Sequence, residues 1–181
     1  MRPAFACVPI FQEATALPAL CRELGLAGAR FEGHDPHGRP RAFAGDAPLA
    51  VSVSRCGPVC AVALALGGRV GVDLVDPRST IPSEGLADLA SPDERRWLET
   101  LPEGSRRRKT FQLWACREAL LKALGLGLTL DAGAVELEPL GDGLRPSRVL
   151  GSPMPPVGWH VEVTDGAGLA EGLILALAWA D

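Results

Sequence analysis

The sequence predicts an α+β fold, and three of its features do so. Short alternating or β-branched runs bounded by Gly and Pro lie in both halves of the chain, at 49–54, 59–66, 69–76 and 173–179. A long Leu- and Ala-rich stretch from about Ser105 to Gly125 has no internal Pro or Gly and reads as a helix. The two halves also share an outline. Leu20–Gly25 followed by two strands is echoed by Arg117–Gly125 followed by two strands, as a duplicated α+β unit with an internal pseudo-twofold would leave behind.

In chain order, residues 12–25 form a helix that Gly25 stops, with Pro18 near its first turn. Gly33 to Pro40 is a loop rich in Gly, Pro and His. Leu49–Ser54 and Val59–Leu66 pair across Cys56-Gly57-Pro58, and Gly67-Gly68 turns the chain into a strand through Asp73. Ser91-Pro92-Asp93-Glu94 is a capping box with Pro at the first helical position, so a helix runs from there to about Leu101. Pro102-Glu103-Gly104 breaks it, and the central helix follows. Ala134–Leu137 is a strand and Gly141–Pro156 a loop. Trp159–Thr164 and Leu173–Trp179 form a hairpin around Asp165-Gly166-Ala167-Gly168. Trp97, Trp159 and Trp179 belong to the core.

Composition narrows the function classes. With 47% hydrophobic and 22% charged residues, the 181-residue chain reads as globular, one domain or two small ones. A net charge of -4 argues against a general nucleic-acid binder. Arg95–Lys122 is nevertheless basic, and its run Arg106-Arg107-Arg108-Lys109 is either a solvated face or a docking surface for an acidic partner. Five Cys without metal or CxxC spacing suggest reduced thiols and a cytoplasmic protein. Pro3, Pro9 and Glu13 interrupt any signal-peptide core, and the apolar run Leu173–Ala180 is too short to span a bilayer. His34, His37 and His160 have no ligand spacing.

The chemistry is concentrated in two places. On the central helix, Phe111, Trp114, Glu118, Leu121 and Lys122 share one arc at about 100° per residue, with Lys109, Gln112 and Cys116 opposite. Glu118 and Lys122 therefore sit on the core-facing side, either as a simple i,i+4 ion pair or as functional groups. Forty-five positions earlier, Asp73 interrupts the strand Arg69-Val70-Gly71-Val72-Asp73-Leu74-Val75. A strand Asp and a helix Glu are hard oxygen ligands suited to Mg²⁺, and a nearby Lys suits a phosphate.

Gly71-Val72-Asp73, a spacer of about forty residues, then Trp114-Ala115-Cys116-Arg117-Glu118-Ala119-Leu120-Leu121-Lys122 resembles the paired signature of the 4'-phosphopantetheinyl transferases, G-[IV]-D … W-x-x-K-E-A-x-x-K. The resemblance implies two similar α+β units, residues 1–69 and 70–181, in a monomeric pseudodimer whose second unit carries the metal and catalytic motifs. It implies transfer of 4'-phosphopantetheine from coenzyme A to a serine of an acyl, polyketide or peptidyl carrier protein, with Mg²⁺ or Mn²⁺. Asp73 and Glu118 would be the metal ligands, Glu118 and Lys122 the catalytic pair, and Lys122 a phosphate contact. In the first unit Gly38-Arg39-Pro40 resembles G-[KR]-P, and Ser52-Val53-Ser54-Arg55-Cys56 stands in the place of N-[LI]-S-H-S. This casts Arg39, Ser54 and Arg55 as coenzyme contacts. Val75 stands where many two-unit members have a second acid, and Arg117 replaces the usual Lys. These departures keep a second reading open, a relative that binds coenzyme A or a carrier without transfer. A third is an unrelated α+β protein in which Asp73 and Glu118 never meet.

Overall fold

The computed structural model describes residues 2–26, 28–36, 38–80, 85, 90–125, 135–140, 143–149, 152–153, 158–166 and 168–180. Within them the chain is α+β. Strands β1 (Ala4–Pro9), β2 (Ala29–His34), β3 (Pro40–Ala44), β4 (Ala47–Cys56) and β5 (Val59–Ala65) form an antiparallel sheet in the order β1-β5-β4-β3-β2. Helix α1 (Glu13–Glu23) packs on β1 and β5 through Ala16, Leu20 and Cys21. Pro18 lies in mid-helix rather than in the first turn. Its missing N–H removes one helical bond, and burial of that face against the sheet offsets the loss.

β1, β2 and β3 are additions to the expected set. The β3–β4 connection is a two-residue hairpin, because Ala44 pairs with Ala47 and Gly45 takes φ 60° between them. Gly45-Asp46 is thus a turn signal of the kind that two-residue hairpins demand. Phe43 is covered by the guanidinium groups of Arg30 at 5.0 Å and Arg41 at 5.8 Å.

The rest of the chain builds on β6 (Arg69–Val75). It pairs antiparallel with β11 (Ile174–Ala180), which pairs with β10 (Trp159–Asp165). The C-terminal hairpin is therefore as expected, although Ala167 in its turn lies outside the described residues. Helix α2 (Pro92–Thr100) starts on the capping box, with Glu94 N donating to Ser91 Oγ at 3.3 Å and Ser91 N to Glu94 Oε2 at 2.6 Å. Helix α3 (Glu103–Leu124) follows and ends at Gly125 with φ 76°. Strand β7 (Val135–Leu140) meets the strand expected at Ala134–Leu137, and β8 (Gly143–Val149) and β9 (Ser152–Pro153) join it in a third sheet where a loop over Gly141–Pro156 was expected. Pro146 masks β8 in the sequence. The ladder admits it through a register shift between Glu136 and Leu137. Ala134 and residues 141–142, 150–151 and 154–157 of those expectations lie outside the described residues.

Helix α3 lies directly on β6. A Cβ at Gly71 would fall 1.9 Å from the Ala119 carbonyl oxygen and 2.6 Å from the Ala123 nitrogen. The contact is backbone to backbone, with Ala119 and Ala123 on the helix side, so neither partner can move a side chain aside. Gly71→Ala is expected to cost about 3 kcal/mol by forcing helix and strand apart. Urea melts of the variant and the parent check this, and an unchanged midpoint would contradict the close packing.

The expected split of α3 into buried and wet faces fails. Cys116 and Arg117 are as buried as Phe111 and Ala119, because α2 and β7 cover the side away from the sheet. Trp114, Glu118 and Lys122, four residues apart, form a half-buried stripe between the covered surfaces.

The free edge of β6 is closed by side chains. Val72 N–H donates to Ser52 Oγ at 3.0 Å and Leu74 N–H to Ser54 Oγ at 3.1 Å, both serines coming from β4. Arg39 Nη2 donates to the Val70 carbonyl at 3.3 Å, and Lys122 Nζ to the Val72 carbonyl at 3.1 Å. An edge strand is joined to the neighbouring sheet without a backbone ladder at these positions.

Candidate active site

Asp73 is placed by alternation along β6. Val70, Val72 and Leu74 enter the core shared with β5 and β11, while Gly71 and Asp73 face α3. Asp73 is 7% exposed. Its Oδ1 accepts from Ser54 Oγ at 2.8 Å and from Lys122 Nζ at 2.7 Å. Among the described residues, both hydrogen bonds to this carboxylate go to Oδ1, and Oδ2 has no protein donor.

Lys122 thus pairs with Asp73 rather than with Glu118 in the i,i+4 ion pair open from sequence. Two of the three ammonium hydrogens go to Asp73 and the Val72 carbonyl. Glu118, one helical turn earlier, shares the same partly buried space. Burial pushes its carboxyl above the ordinary glutamate range, the charge of Asp73 pushes it further, and Lys122 and Arg117 pull it back. The strand acid and the helix acid thus lie near enough for the charge of one to act on the other, with Lys122 bonded to the strand acid.

This donor set suits a hard divalent cation. Asp73 Oδ2 and the Glu118 carboxylate offer hard oxygen donors, and their mutual repulsion is what a cation would relieve. Among the described residues no three His, Cys, Asp or Glu side chains gather as a metal cage. Such an ion would draw the rest of its shell from water and phosphate, as Mg²⁺ commonly does. Val75 packs into the α3 core, and Asp76 turns away to bond Arg78 at 2.8 Å.

The first-unit candidates separate. Ser54 is in the site, its hydroxyl hydrogen directed at Asp73 while its oxygen accepts from Leu74. Arg55, the next residue on β4, points to the other face and forms a two-armed pair with Glu13 of α1. It is not brought to Asp73. Arg39 lies at the carboxyl end of α3, where Nη2 also reaches the Ala123 carbonyl at 3.5 Å, beside Arg69 on the Leu124 carbonyl at 3.4 Å. Cations are favourable there because the helix dipole is negative at that end. Arg39, Arg41 and Arg69 line a cleft of about 380 Å³.

Two features escaped the sequence reading. Arg117 is 1% exposed and makes a buried ion pair with Glu94, Nη2 to Oε2 at 2.6 Å, while its Nε donates to the Val135 carbonyl at 3.0 Å. Glu94 also accepts from Leu137 N at 2.8 Å. This carboxylate joins the start of α2, the middle of α3 and β7. The capping box was a visible signal for Glu94, but nothing local announced its partner. The basic run is likewise used internally. Arg106 reaches the Leu101 carbonyl beyond α2 at 3.2 Å, Arg107 the Pro77 carbonyl at 2.9 Å, and Arg108 the carboxylate of Asp165.

Residues 69–178 match the family model of the 4'-phosphopantetheinyl transferase superfamily. The chain belongs to that superfamily. A putative 4'-phosphopantetheinyl transferase of Synechocystis sp. is 37% identical over 83 residues, 43% of this chain and 32% of the relative. The aligned part thus spans about one third of that relative's length. The holo-[acyl-carrier-protein] synthase of Thermotoga maritima aligns over 62% of each chain at 23% identity, with a TM-score of 0.46. The superfamily match contains Asp73, Glu118 and Lys122 and begins after Arg39, Ser54 and Arg55. Among the described residues no helix is long and apolar enough to cross a membrane.

Proposed function

We propose that this chain transfers 4'-phosphopantetheine from coenzyme A to a serine of a carrier protein, releasing 3',5'-ADP. The observation that carries this reading is the ion pair of Lys122 with Asp73, with Glu118 one helical turn before Lys122, in a superfamily whose signature these residues resemble. Residues 1–69 and 70–181 act as two units, with the site on β6 and α3 of the second.

Asp73, through Oδ2, and Glu118 would hold Mg²⁺ or Mn²⁺, which supplies positive charge for the diphosphate when bound. The remaining steps belong to the chain. Lys122 keeps Asp73 in place with one hydrogen and offers its third to a phosphate oxygen. Glu118, or a water it orients, takes the proton of the carrier serine. The serine oxygen forms a bond to phosphorus as the phosphoanhydride bond breaks, and the leaving oxygen departs with 3',5'-ADP. Arg39, with Arg41 and Arg69, offers positive charge to the nucleotide end. Arg55, engaged with Glu13 on the far face of β4, has no part in these steps.

The test is incubation with coenzyme A, Mg²⁺ and apo carrier proteins of the fatty-acid, polyketide and peptide-synthetase types, read by mass spectrometry. A carrier should gain one phosphopantetheine, and Asp73→Ala should abolish the gain while the protein stays folded. Coenzyme A binding with no mass gain on any carrier would instead identify a non-transferring relative.

A further inference from the structure

We infer that Ser54 is a positioning residue for Asp73: it pins one carboxylate oxygen from the neighbouring sheet and so presents the other to the cation. This rests on the reading of Asp73 as a cation ligand, and it departs from a direct coenzyme contact for Ser54.

A carboxylate on a strand rotates about two side-chain bonds, and either oxygen can face the helix. Here that freedom is removed from two directions. Lys122 holds Oδ1 at 2.7 Å from α3, and Ser54 holds the same oxygen at 2.8 Å from β4. The hydroxyl is itself fixed, because its oxygen accepts the Leu74 N–H at 3.1 Å, one residue beyond Asp73 on the same strand. With its hydrogen on Asp73, the hydroxyl has no donor left for a phosphate. Ser54 is 6% exposed, so its place is behind the carboxylate rather than beside an incoming ligand. An ordered partner behind a metal ligand typically raises metal affinity by about 10- to 100-fold.

Ser52 supplies an internal control. It lies two residues earlier on β4 and accepts the Val72 N–H at 3.0 Å in the same manner, yet it makes no bond to Asp73. Loss of Ser52 therefore reproduces the damage to the seam without touching the carboxylate.

The experiment is Mn²⁺ titration of the purified full chain, followed by electron paramagnetic resonance in the absence of coenzyme A. Ser54→Ala should weaken Mn²⁺ binding about tenfold or more, Ser54→Thr should largely restore it, and Ser52→Ala should leave it unchanged. At saturating metal, the coenzyme A KM of Ser54→Ala should stay within about twofold of the parent. If Ser54→Ala does not fold, Ser54→Cys, whose thiol is a weak donor in nearly the same volume, takes its place with the same expected direction. Equal weakening by Ser52→Ala and Ser54→Ala would show a merely structural role and overturn the inference. A coenzyme A KM that rises at saturating metal would assign Ser54 to the coenzyme and overturn it as well. Failure of the parent protein to bind Mn²⁺ would sink the metal reading itself, and that outcome is distinct from both.

Discussion

Glu118→Gln is expected to lose phosphopantetheine transfer by about a hundredfold or more while making the folded protein more stable near neutral pH. The loss follows from removing both a proposed cation ligand and the proposed acceptor of the serine proton, since positioned proton transfer alone contributes about 10²–10⁴. The gain follows from the raised pKa. Burial, then the charge of Asp73, makes ionised Glu118 unfavourable in the folded chain. Below the ordinary glutamate value both folded and unfolded states hold the proton, and no penalty exists. As pH rises through that value the unfolded chain ionises first, so it binds fewer protons and stability falls. The fall ends once the folded group has also ionised. Glutamine carries no such penalty, so the variant's advantage should be absent in acid and greatest near neutrality. Thermal melts of both proteins across that range, beside a transfer assay, check it. Equal stability at neutral pH would contradict the buried, repelled carboxylate, and transfer at the parental rate would exclude Glu118 as ligand and base.

Arg117→Met is expected to be among the most damaging single changes, costing about 3–5 kcal/mol. The guanidinium is fully enclosed, and its loss leaves Glu94 charged and buried with only the Ser91 and Leu137 amides for support. The Val135 carbonyl loses its bond from Nε as well. For a chain of this size the melting temperature should drop by about 10 °C. Adding Glu94→Gln should recover part of the loss, because the double variant no longer buries an unpaired charge, whereas Glu94→Gln alone should destabilise. Denaturant melts of the two single variants and the double complete the cycle. A parental melting point for Arg117→Met would contradict the enclosed pair.

Much of the site was legible because its parts sit in short motifs with local causes. Gly71 is demanded by contact with the helix backbone, Asp73 follows two residues later on the same face, and Glu118 and Lys122 are one turn apart. The capping box and Gly125 set helix ends in the same local way. What stayed hidden depends on partners far along the chain. Arg117 looked like a substituted site residue, yet it serves the core through Glu94, 23 positions away. Arg55 occupies a motif position, but strand alternation turns it towards α1 once Ser54 faces β6. β8 was obscured by its own proline, and β3 by the brevity of its two-residue turn at Gly45. In each case a tertiary pairing overrode what local composition suggested.

The way β6 is finished on its outer side bears on how far the second unit can stand alone. Cut away from residues before 69, this strand would lose the caps supplied by Arg39, Ser52 and Ser54, and bare amides would meet water beside an apolar face. Such an edge recruits another strand, so a fragment limited to the superfamily match would be prone to pair with its own copies. The early part of the chain, which lies outside that match, supplies the groups that keep this edge covered.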